Sequence, residues 1–276
     1  PGSTFKPTQG LILLQEGIIS LQTTYPCYRG YINGGLRVGC HGHGSPLPLK
    51  PALQTSCNGY FCWGLKNMLD NRRSKYGSAA NAFETWKKHL VSMGYGYKLG
   101  VDLPSESRGF IPNAQYYDKI YGANRWSANT IISIAIGQGE ILATPLQIAN
   151  LCATVANRGW FITPHVVKEV QDTVLESQYL EKRYPTIDRE HYDAVAEGMR
   201  MAVTGGTCRL AALPDIEVCG KTGTAQNPHG KDHSAFIGFA PYNDPKIAIC
   251  VYVQNAGFGA TYGANRFARN GKISQR

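Results

Sequence analysis

Three short strings in the chain could combine into one reactive site: Ser3-Thr4-Phe5-Lys6, Ser56-Cys57-Asn58 and Lys221-Thr222-Gly223. A serine hydroxyl is a poor nucleophile at neutral pH and needs a base beside it. In S-x-x-K the lysine follows the serine by one helical turn, so both side chains lie on one face. That spacing puts an amine within reach of the hydroxyl proton. A lysine works as a base only when burial or a second cation lowers its pKa, and Lys221 could be that cation. The chemistry these residue types allow together is acyl transfer through a serine ester.

A second group could hold a metal. Cys27 and the run Gly39-Cys40-His41-Gly42-His43 frame one loop, and Cys57 lies inside the second string. Cys27, Cys40, His43 and Cys57 are the residue types of a tetrahedral Cys3His zinc site, with His41 as the alternate imidazole. The spacing is not that of a standard finger. A Cys27–Cys40 disulfide, or a buried Cys57 beside an ordinary loop, would use the same residues. In an oxidising compartment, thiolates persist more easily when a metal holds them. Any such zinc would be structural, pinning the loop and Ser56-Cys57-Asn58. Cys152, Cys208, Cys219 and Cys250 lie in apolar or mixed segments and read as packing residues.

The elements that must position these groups follow from pattern. A helix is expected from Ser3 to about Gly17, with Pro7 in its first turn, where proline is tolerated. Ser3 would then stand at a helix N-terminus, which favours developing negative charge. Residues 25 to 50 read as loop. Helix is expected from about Lys50 to Asn71, from Ala79 to Met93, from Pro145 to Asn157, and from Asp188 to Val203 with Asp188 as cap. Residues 94 to 130, dense in Gly, Pro and Tyr, read as irregular. The period then changes to that of strands at 216–224, 234–240 and 246–253, with Pro241 to Pro245 as a turn. Helices first and an antiparallel meander last predict an α+β domain, its helices packed on the sheet and Lys221 to Thr224 on an edge strand.

The 276 residues suit one large domain or one domain with a small lobe, and 43% hydrophobic content supports a sizeable core. No apolar run approaches the roughly 18 residues of a membrane span. The net charge of +9 suits a basic surface or an anionic partner. Basic residues are scattered, apart from Arg72-Arg73 and Lys87-Lys88, and no nucleic-acid motif is present, so nucleic acid is not an expected partner. The candidate nucleophile is three residues in, so the expectation is a fragment, 1–276, of a domain whose start, with any pedestal and anchor, lies upstream. His229 and His233 read as loop or rim residues, since a lysine base makes a histidine unnecessary. Asp232 and Asp244 read as solvated or capping groups. The tyrosines between 94 and 121 could line a substrate groove or pack a long loop, and packing is the favoured reading. Gly137-Gln138-Gly139 is too short for a phosphate cradle.

The three strings, the stretch Gly137-Gln138-Gly139-Glu140-Ile141-Leu142-Ala143-Thr144-Pro145-Leu146-Gln147 and Phe239-Ala240-Pro241 together resemble the transpeptidase domain of class B penicillin-binding proteins. The similarity is greatest to the elongation-type branch, penicillin-binding protein 2, over roughly residues 1 to 262. The resemblance implies a serine β-lactamase/transpeptidase-like fold with an all-helical lobe, and a peptidoglycan D,D-transpeptidase that needs no cofactor for catalysis. It implies that Ser3 is acylated by a D-Ala-D-Ala stem peptide or stalled by a β-lactam, and that Lys6 takes the serine proton. Ser56 would relay a proton to the leaving amine, and Asn58 would bridge Lys6 and the substrate amide. Lys221, Thr222 and Thr224, around Gly223, would hold the terminal carboxylate, and the N–H groups of Ser3 and Thr224 would form an oxyanion hole. Some members of the branch hold a metal beside the second motif. The resemblance further implies an N-terminal membrane anchor, a place on the periplasmic face of the bacterial inner membrane, and a glycan-strand polymerase and shape-determining proteins as partners. The rival enzymes are a D,D-carboxypeptidase or a serine β-lactamase, and the rival of another class is a non-catalytic β-lactam sensor or scaffold. Two departures stand out. The strand and helix that the family places before the serine motif are absent, and Asn265 to Arg276 is polar where the family has an apolar helix.

Overall fold

The computed structural model describes residues 1–71 and 75–264. Arg72, Arg73 and the tail from Asn265 lie outside the described residues. The chain opens with a 3-10 turn, Gly2–Phe5, that runs directly into helix α1, Lys6–Gln15, with Pro7 in its first turn. Every residue of α1 from Lys6 to Leu14 is buried. A helix enclosed on all sides is a core helix, not a surface one. Of its buried polar side chains, Gln9 is half satisfied: Oε1 accepts from Trp86 Nε1 at 2.7 Å, while Nε2 has no partner among the described residues.

The expected loop at 25 to 50 contains a hairpin, β1 Gly30–Asn33 and β2 Leu36–Gly39. Its two-residue turn is Gly34 and Gly35 at φ +57° and +82°, the paired left-handed conformation that such hairpins require. The helix expected from Lys50 to Asn71 is two helices, α2 Leu49–Gln54 and α3 Asn58–Leu69. The break is at Ser56, which has a side chain yet sits at φ +55°. Such a conformation costs on the order of 1–3 kcal/mol. Helix α4, Ala79–Ser92, follows expectation, with Ser78 accepting from the Asn81 N–H as cap. The segment expected to be irregular holds α5, Ala114–Tyr121, capped by Asn113. A second 3-10 turn, Ile132–Ile136, ends in left-handed Gly137. Helix α6, Pro145–Ala156, starts with a reciprocal Thr144–Gln147 capping box. Helix α7 spans Glu190–Gly205. Asp188 does not cap it. Arg189 is the N-cap residue, without a side-chain bond, while the Asp188 carboxylate accepts from Gln15 Nε2 at 3.2 Å.

Three strands complete the domain: β3 Cys219–Ala225, β4 His233–Ala240 and β5 Ile247–Val253. They form an antiparallel sheet in the order β3-β4-β5, with Lys221 opposite Ile237 and Thr224 opposite Ser234. Pairing starts at Cys219, later than the expected Ile216. Ile237 and Phe239 enter the main core, while Phe236 and Ala240 alternate into a second cluster with Val203 and Val218. Helix α6 packs across β4 and β5, and α7 packs across β3. The architecture is the expected α+β, and among the described residues β3 is an edge strand. Also among them, no helix is long and apolar enough to cross a membrane.

Candidate active site

The 3-10 turn places Ser3 half-buried at the wall of a cavity of about 770 Å³. Ser56, Asn58, Thr222, Thr224 and Gln138 line the same cavity. Lys6 and Lys221 lie behind this wall, and both are fully buried. The break between α2 and α3 aims Ser56 inward, where its Oγ accepts from Lys6 Nζ at 3.0 Å and from Lys221 Nζ at 2.8 Å. Lys6 Nζ also donates to the Ser56 carbonyl and to Asn58 Oδ1, each at 2.6 Å. Three acceptors match the three N–H donors of an ammonium group. Among the described residues Ser3 Oγ makes no side-chain hydrogen bond, so Lys6 is directed at Ser56 and Asn58 rather than at Ser3.

Burial lowers the Lys6 pKa to about 7, with the Lys221 charge adding to the effect. Burial also lowers Lys221, to about 8. Among the described residues neither lysine has a carboxylate partner, so desolvation of the charged form dominates.

The edge position of β3 decides which of its groups face the cavity. Along a strand, alternate residues present their N–H and C=O to the same side. The Thr222 N–H donates away from β4, to Cys208 Sγ at 3.2 Å. The Thr224 carbonyl accepts from Gln138 Nε2 at 2.8 Å. The Thr224 N–H therefore faces the open edge as well. Ser3 stands in the first turn of its helix, where N–H groups lack an intrahelical partner. The two segments touch backbone to backbone: a Cβ on Gly2 would lie 2.5 Å from the Thr224 carbonyl oxygen, and one on Gly223 would lie 2.9 Å from Thr4 N.

Sequence reasoning missed Thr207 and Gln138. The Thr222 hydroxyl donates to Thr207 Oγ1 at 3.2 Å, and the Thr207 N–H ties to the Gln54 carbonyl at 3.1 Å. The Gly205-Gly206 pair that ends α7 was a usable signal for a loop there. Of the other tempting residues, Asp232 reaches the cavity, while His233, Asp244, Tyr95 and Tyr117 do not line it. His233 Nδ1 accepts from the Asn255 N–H at 3.0 Å, and Asp244 pairs with Lys246 at the surface. Asp232 lines the cavity, and its carboxylate holds the Asn227 N–H. Tyr95 and Tyr117 are fully buried in the core.

The metal candidates also converge. One ligand atom each from Cys27, Cys40, His43 and Cys57 lies within 4.8 Å of the others. Cys40 Sγ is 3.3 Å from His43 Nε2. His41 is not in this group and instead lines the cavity. All eight cysteines are free, so Cys27 and Cys40 form no disulfide. A hydrogen bond from Cys57, helped by the Asn58 N–H and His43, lowers the Cys40 pKa to about 4. Cys57 is driven the other way by that same bond. The hairpin also grips the second motif directly. Asn58 N–H donates to Cys40 Sγ at 3.2 Å, and Asn58 Nδ2 donates to the Gly39 carbonyl at 2.7 Å.

Residues 1–271 match the family described as penicillin binding protein transpeptidase domain. The chain is 32% identical to a peptidoglycan D,D-transpeptidase MrdA of Acinetobacter baumannii, over 95% of this chain and 40% of that protein. It is equally 32% identical to the MrdA of Haemophilus influenzae, over 96% of this chain and 42% of that protein. Its structure is similar to that of PBP2 from Pseudomonas aeruginosa, with a TM-score of 0.80 and 27% identity, covering 96% of this chain and 56% of the other. It is also similar to PBP2 from Helicobacter pylori in complex with MreC, with a TM-score of 0.81 and 27% identity, covering 100% of this chain and 49% of the other. The chain thus spans about two fifths of the length of the curated relatives it matches.

Proposed function

The chain belongs to the penicillin binding protein transpeptidase domain family, and on that footing we propose that it cross-links peptidoglycan through a serine acyl-enzyme. Ser3 Oγ attacks the carbonyl carbon between the last two D-alanines of a donor stem peptide. The C–O bond forms, the C–N bond breaks, and the terminal D-alanine leaves as a free amine. Neutral Lys6 takes the serine proton, with its lone pair freed when the ammonium gives up one of three N–H bonds. Both Lys6 and Lys221 donate to Ser56 Oγ, so the Ser56 proton is left to point outward and reach the leaving nitrogen, and Lys6 replaces it with the proton taken from Ser3, returning to the neutral amine. The N–H groups of Ser3 and Thr224 take the charge on the carbonyl oxygen; each such donor supplies about 3 kcal/mol. Charged Lys221 and the Thr224 hydroxyl hold the terminal carboxylate beside Gly223, and the Thr222 hydroxyl joins them by turning its one proton from Thr207 to the carboxylate and accepting from the Thr207 hydroxyl instead. Asn58 orients Lys6 and the substrate amide. An amine of a neighbouring strand then attacks the ester, restoring the Ser3 hydroxyl.

The observation that carries this reading is one hydroxyl shared by two buried amines at the wall of the Ser3 cavity. The test is intact mass after exposure to penicillin. A lasting mass gain equal to the drug is expected, absent in Ser3→Ala. Rapid drug hydrolysis without an adduct would mark a β-lactamase. A donor peptide offered with an acceptor amine should yield cross-linked product. Hydrolysed donor alone would mark a carboxypeptidase, and an adduct with neither product would mark a sensor.

The hairpin's donor set fits a structural zinc. In a tetrahedral site, Zn–S of about 2.3 Å and Zn–N of about 2.0 Å bring ligand atoms within 4 Å of one another, and only a small contraction of the present cluster is needed. Cys27, Cys40, His43 and Cys57 would hold it, and its role would be to fix the hairpin that holds Asn58. The resemblance to the elongation-type branch supports cell-wall elongation as the process and the periplasmic face of the inner membrane as the location, and the Helicobacter pylori PBP2 complex with MreC supports a partner of that kind. Membrane attachment and contact with a glycan polymerase would rest on segments beyond this chain.

A further inference from the structure

We propose that Gln138 is a positioning residue that sets the gap between the two oxyanion donors, Ser3 N–H and Thr224 N–H, an inference that rests on the serine-acylation reading above. Gln138 is not one of the three motifs and is held by two glycines in the left-handed region, Gly137 and Gly139, both at φ +72°. Its backbone neighbours grip the nucleophile's turn. The Gly2 N–H donates to the Gly137 carbonyl at 2.8 Å. A Cβ on Gly137 would lie 2.3 Å from the Gly2 carbonyl oxygen and 2.6 Å from Phe5 Cβ. The main chain at 137 is therefore seated on the turn that carries Ser3.

The side chain reaches the other partner. Gln138 Nε2 donates to the Thr224 carbonyl at 2.8 Å, and Gln138 Oε1 accepts from the Gln226 N–H at 3.3 Å. These are the two outward-facing backbone groups on either side of Ala225, the last residue of β3. One carboxamide thus meets an edge strand as a neighbouring strand's peptide group would. Among the described residues no strand pairs with β3 on this side, so without Gln138 the outward backbone groups at the end of β3 lose their hydrogen-bond partner, and what holds Thr224 besides β4 is packing on Gly2 and the bond from the Gly259 N–H to its hydroxyl. An oxyanion donor must lie about 2.7–3.1 Å from the developing charge, and the twist between strands varies over roughly 10–35°, so an edge held on one side alone leaves that distance less fixed. A rigid link from the serine turn to Thr224 removes that freedom.

The geometry also fixes which substitutions matter. Gln138→Glu keeps the acceptor for Gln226 but replaces the donor to the Thr224 carbonyl with an oxygen. Gln138→Ala removes both bonds. Neither change touches Lys6, Lys221 or Ser56. The readout is a split of penicillin acylation into the non-covalent dissociation constant and the rate constant of the acyl step, by stopped flow. The acyl-step constant should fall at least tenfold in both variants, with the dissociation constant within about threefold of wild type. Amide exchange at Gln226 should accelerate in Gln138→Ala and remain near wild type in Gln138→Glu. Three results overturn the proposal: a faster acyl step, which would make Gln138 a placeholder that substrate displaces; a loss confined to binding; or unchanged Gln226 exchange in Gln138→Ala. If wild type itself forms no Ser3 adduct, the acylation reading fails and the positioning role falls with it. A wild type that acylates while the variants match it refutes the role of Gln138 alone.

Discussion

The pH dependence of acylation follows from the two buried amines. Lys6 must be neutral to take the Ser3 proton, so activity rises with pH through its pKa of about 7. Lys221 must be charged to hold a carboxylate, so activity falls with pH through its pKa of about 8. The expected profile for the free enzyme is a bell with its top near pH 7.5. From pH 5.5 to pH 7 the neutral fraction of Lys6 grows from roughly 3% to half, a rise of about fifteen-fold. A lysine at its ordinary value of 10.5 would be only about 0.03% neutral at pH 7. Burial therefore gains about three orders of magnitude in available base, offset in part by weaker intrinsic basicity. The two amines share Ser56 Oγ, so the limbs belong to the pair.

The perturbation that assigns them is Lys221→Gln. The Lys221 charge is the second cause of the low Lys6 pKa, after burial. Removing it should move the acid limb to higher pH and abolish the alkaline limb. The assay is the second-order rate constant for acylation by a fluorescent penicillin, from pH 5.5 to 9.5 at constant ionic strength. An acid limb that stays in place in Lys221→Gln, or a flat wild-type profile across that range, would refute the assignment of Lys6 as base.

Burying the Lys6 charge also costs stability. Its shift from 10.5 to about 7 corresponds to about 5 kcal/mol. Between those values the unfolded chain binds a proton that the folded chain does not, so this cost grows as pH falls toward 7 and levels off below it. Lys6→Met should therefore abolish acylation yet melt no lower than wild type at pH 7, with its advantage narrowing toward pH 9; the gain is limited because the Ser56 carbonyl and Asn58 Oδ1 lose a donor, at about 1–3 kcal/mol each. Thr207→Val removes the partner of the Thr222 hydroxyl and should weaken carboxylate binding about fivefold, from a net hydrogen bond of about 1 kcal/mol, with the acyl step unchanged in stopped flow. Purified protein should contain about one zinc per chain by elemental analysis, and chelation or Cys40→Ser should lower the melting temperature; metal-free protein with full activity and an unchanged melting curve would remove the zinc proposal.

The parts of the site that were legible in sequence are those set by local rules. One helical turn between Ser3 and Lys6 is a spacing rule, and the β4–β5 pair shows strand periodicity around a Pro-Asn-Asp turn. The edge position of Lys221 to Thr224 followed from strand order. The break at Ser56 had no such signal. Leu53, Phe61 and Leu65 continue an apolar pattern across it, and what turns the chain there is contact with Lys6 and Lys221, which come from positions far apart in sequence. The hairpin at 30–39 was readable, since Asn33-Gly34-Gly35 is a strong turn string, but its four-residue strands are too short for periodicity to show. Helix α5 was hidden by its aromatic content, where Asn113 as cap was the usable cue. Gln138 was beyond sequence rules altogether: its meaning comes from an edge strand nearly ninety residues later.

The site's charges point to how the two amines divide their work. Two cations meet at one hydroxyl; the Cys40 thiolate acts on Lys6 but less than the Lys221 charge does, among the described residues no carboxylate pairs with Lys221, and mutual repulsion is relieved when one amine loses its proton. Lys6 has the lower pKa and is the one bounded by Ser56 and Asn58. Lys221 faces Thr222, at the end of the cavity nearest Thr207. A substrate carboxylate arriving there supplies the missing anion, and an opposite charge nearby raises the pKa of the lysine it touches. Lys221 then stays charged to higher pH, and its repulsion keeps Lys6 neutral. The pair is thus sorted into anchor and base by the substrate's own charge. An ester or amide at that carboxylate, which cannot do this, should be a poor acyl donor even where it fits the cavity.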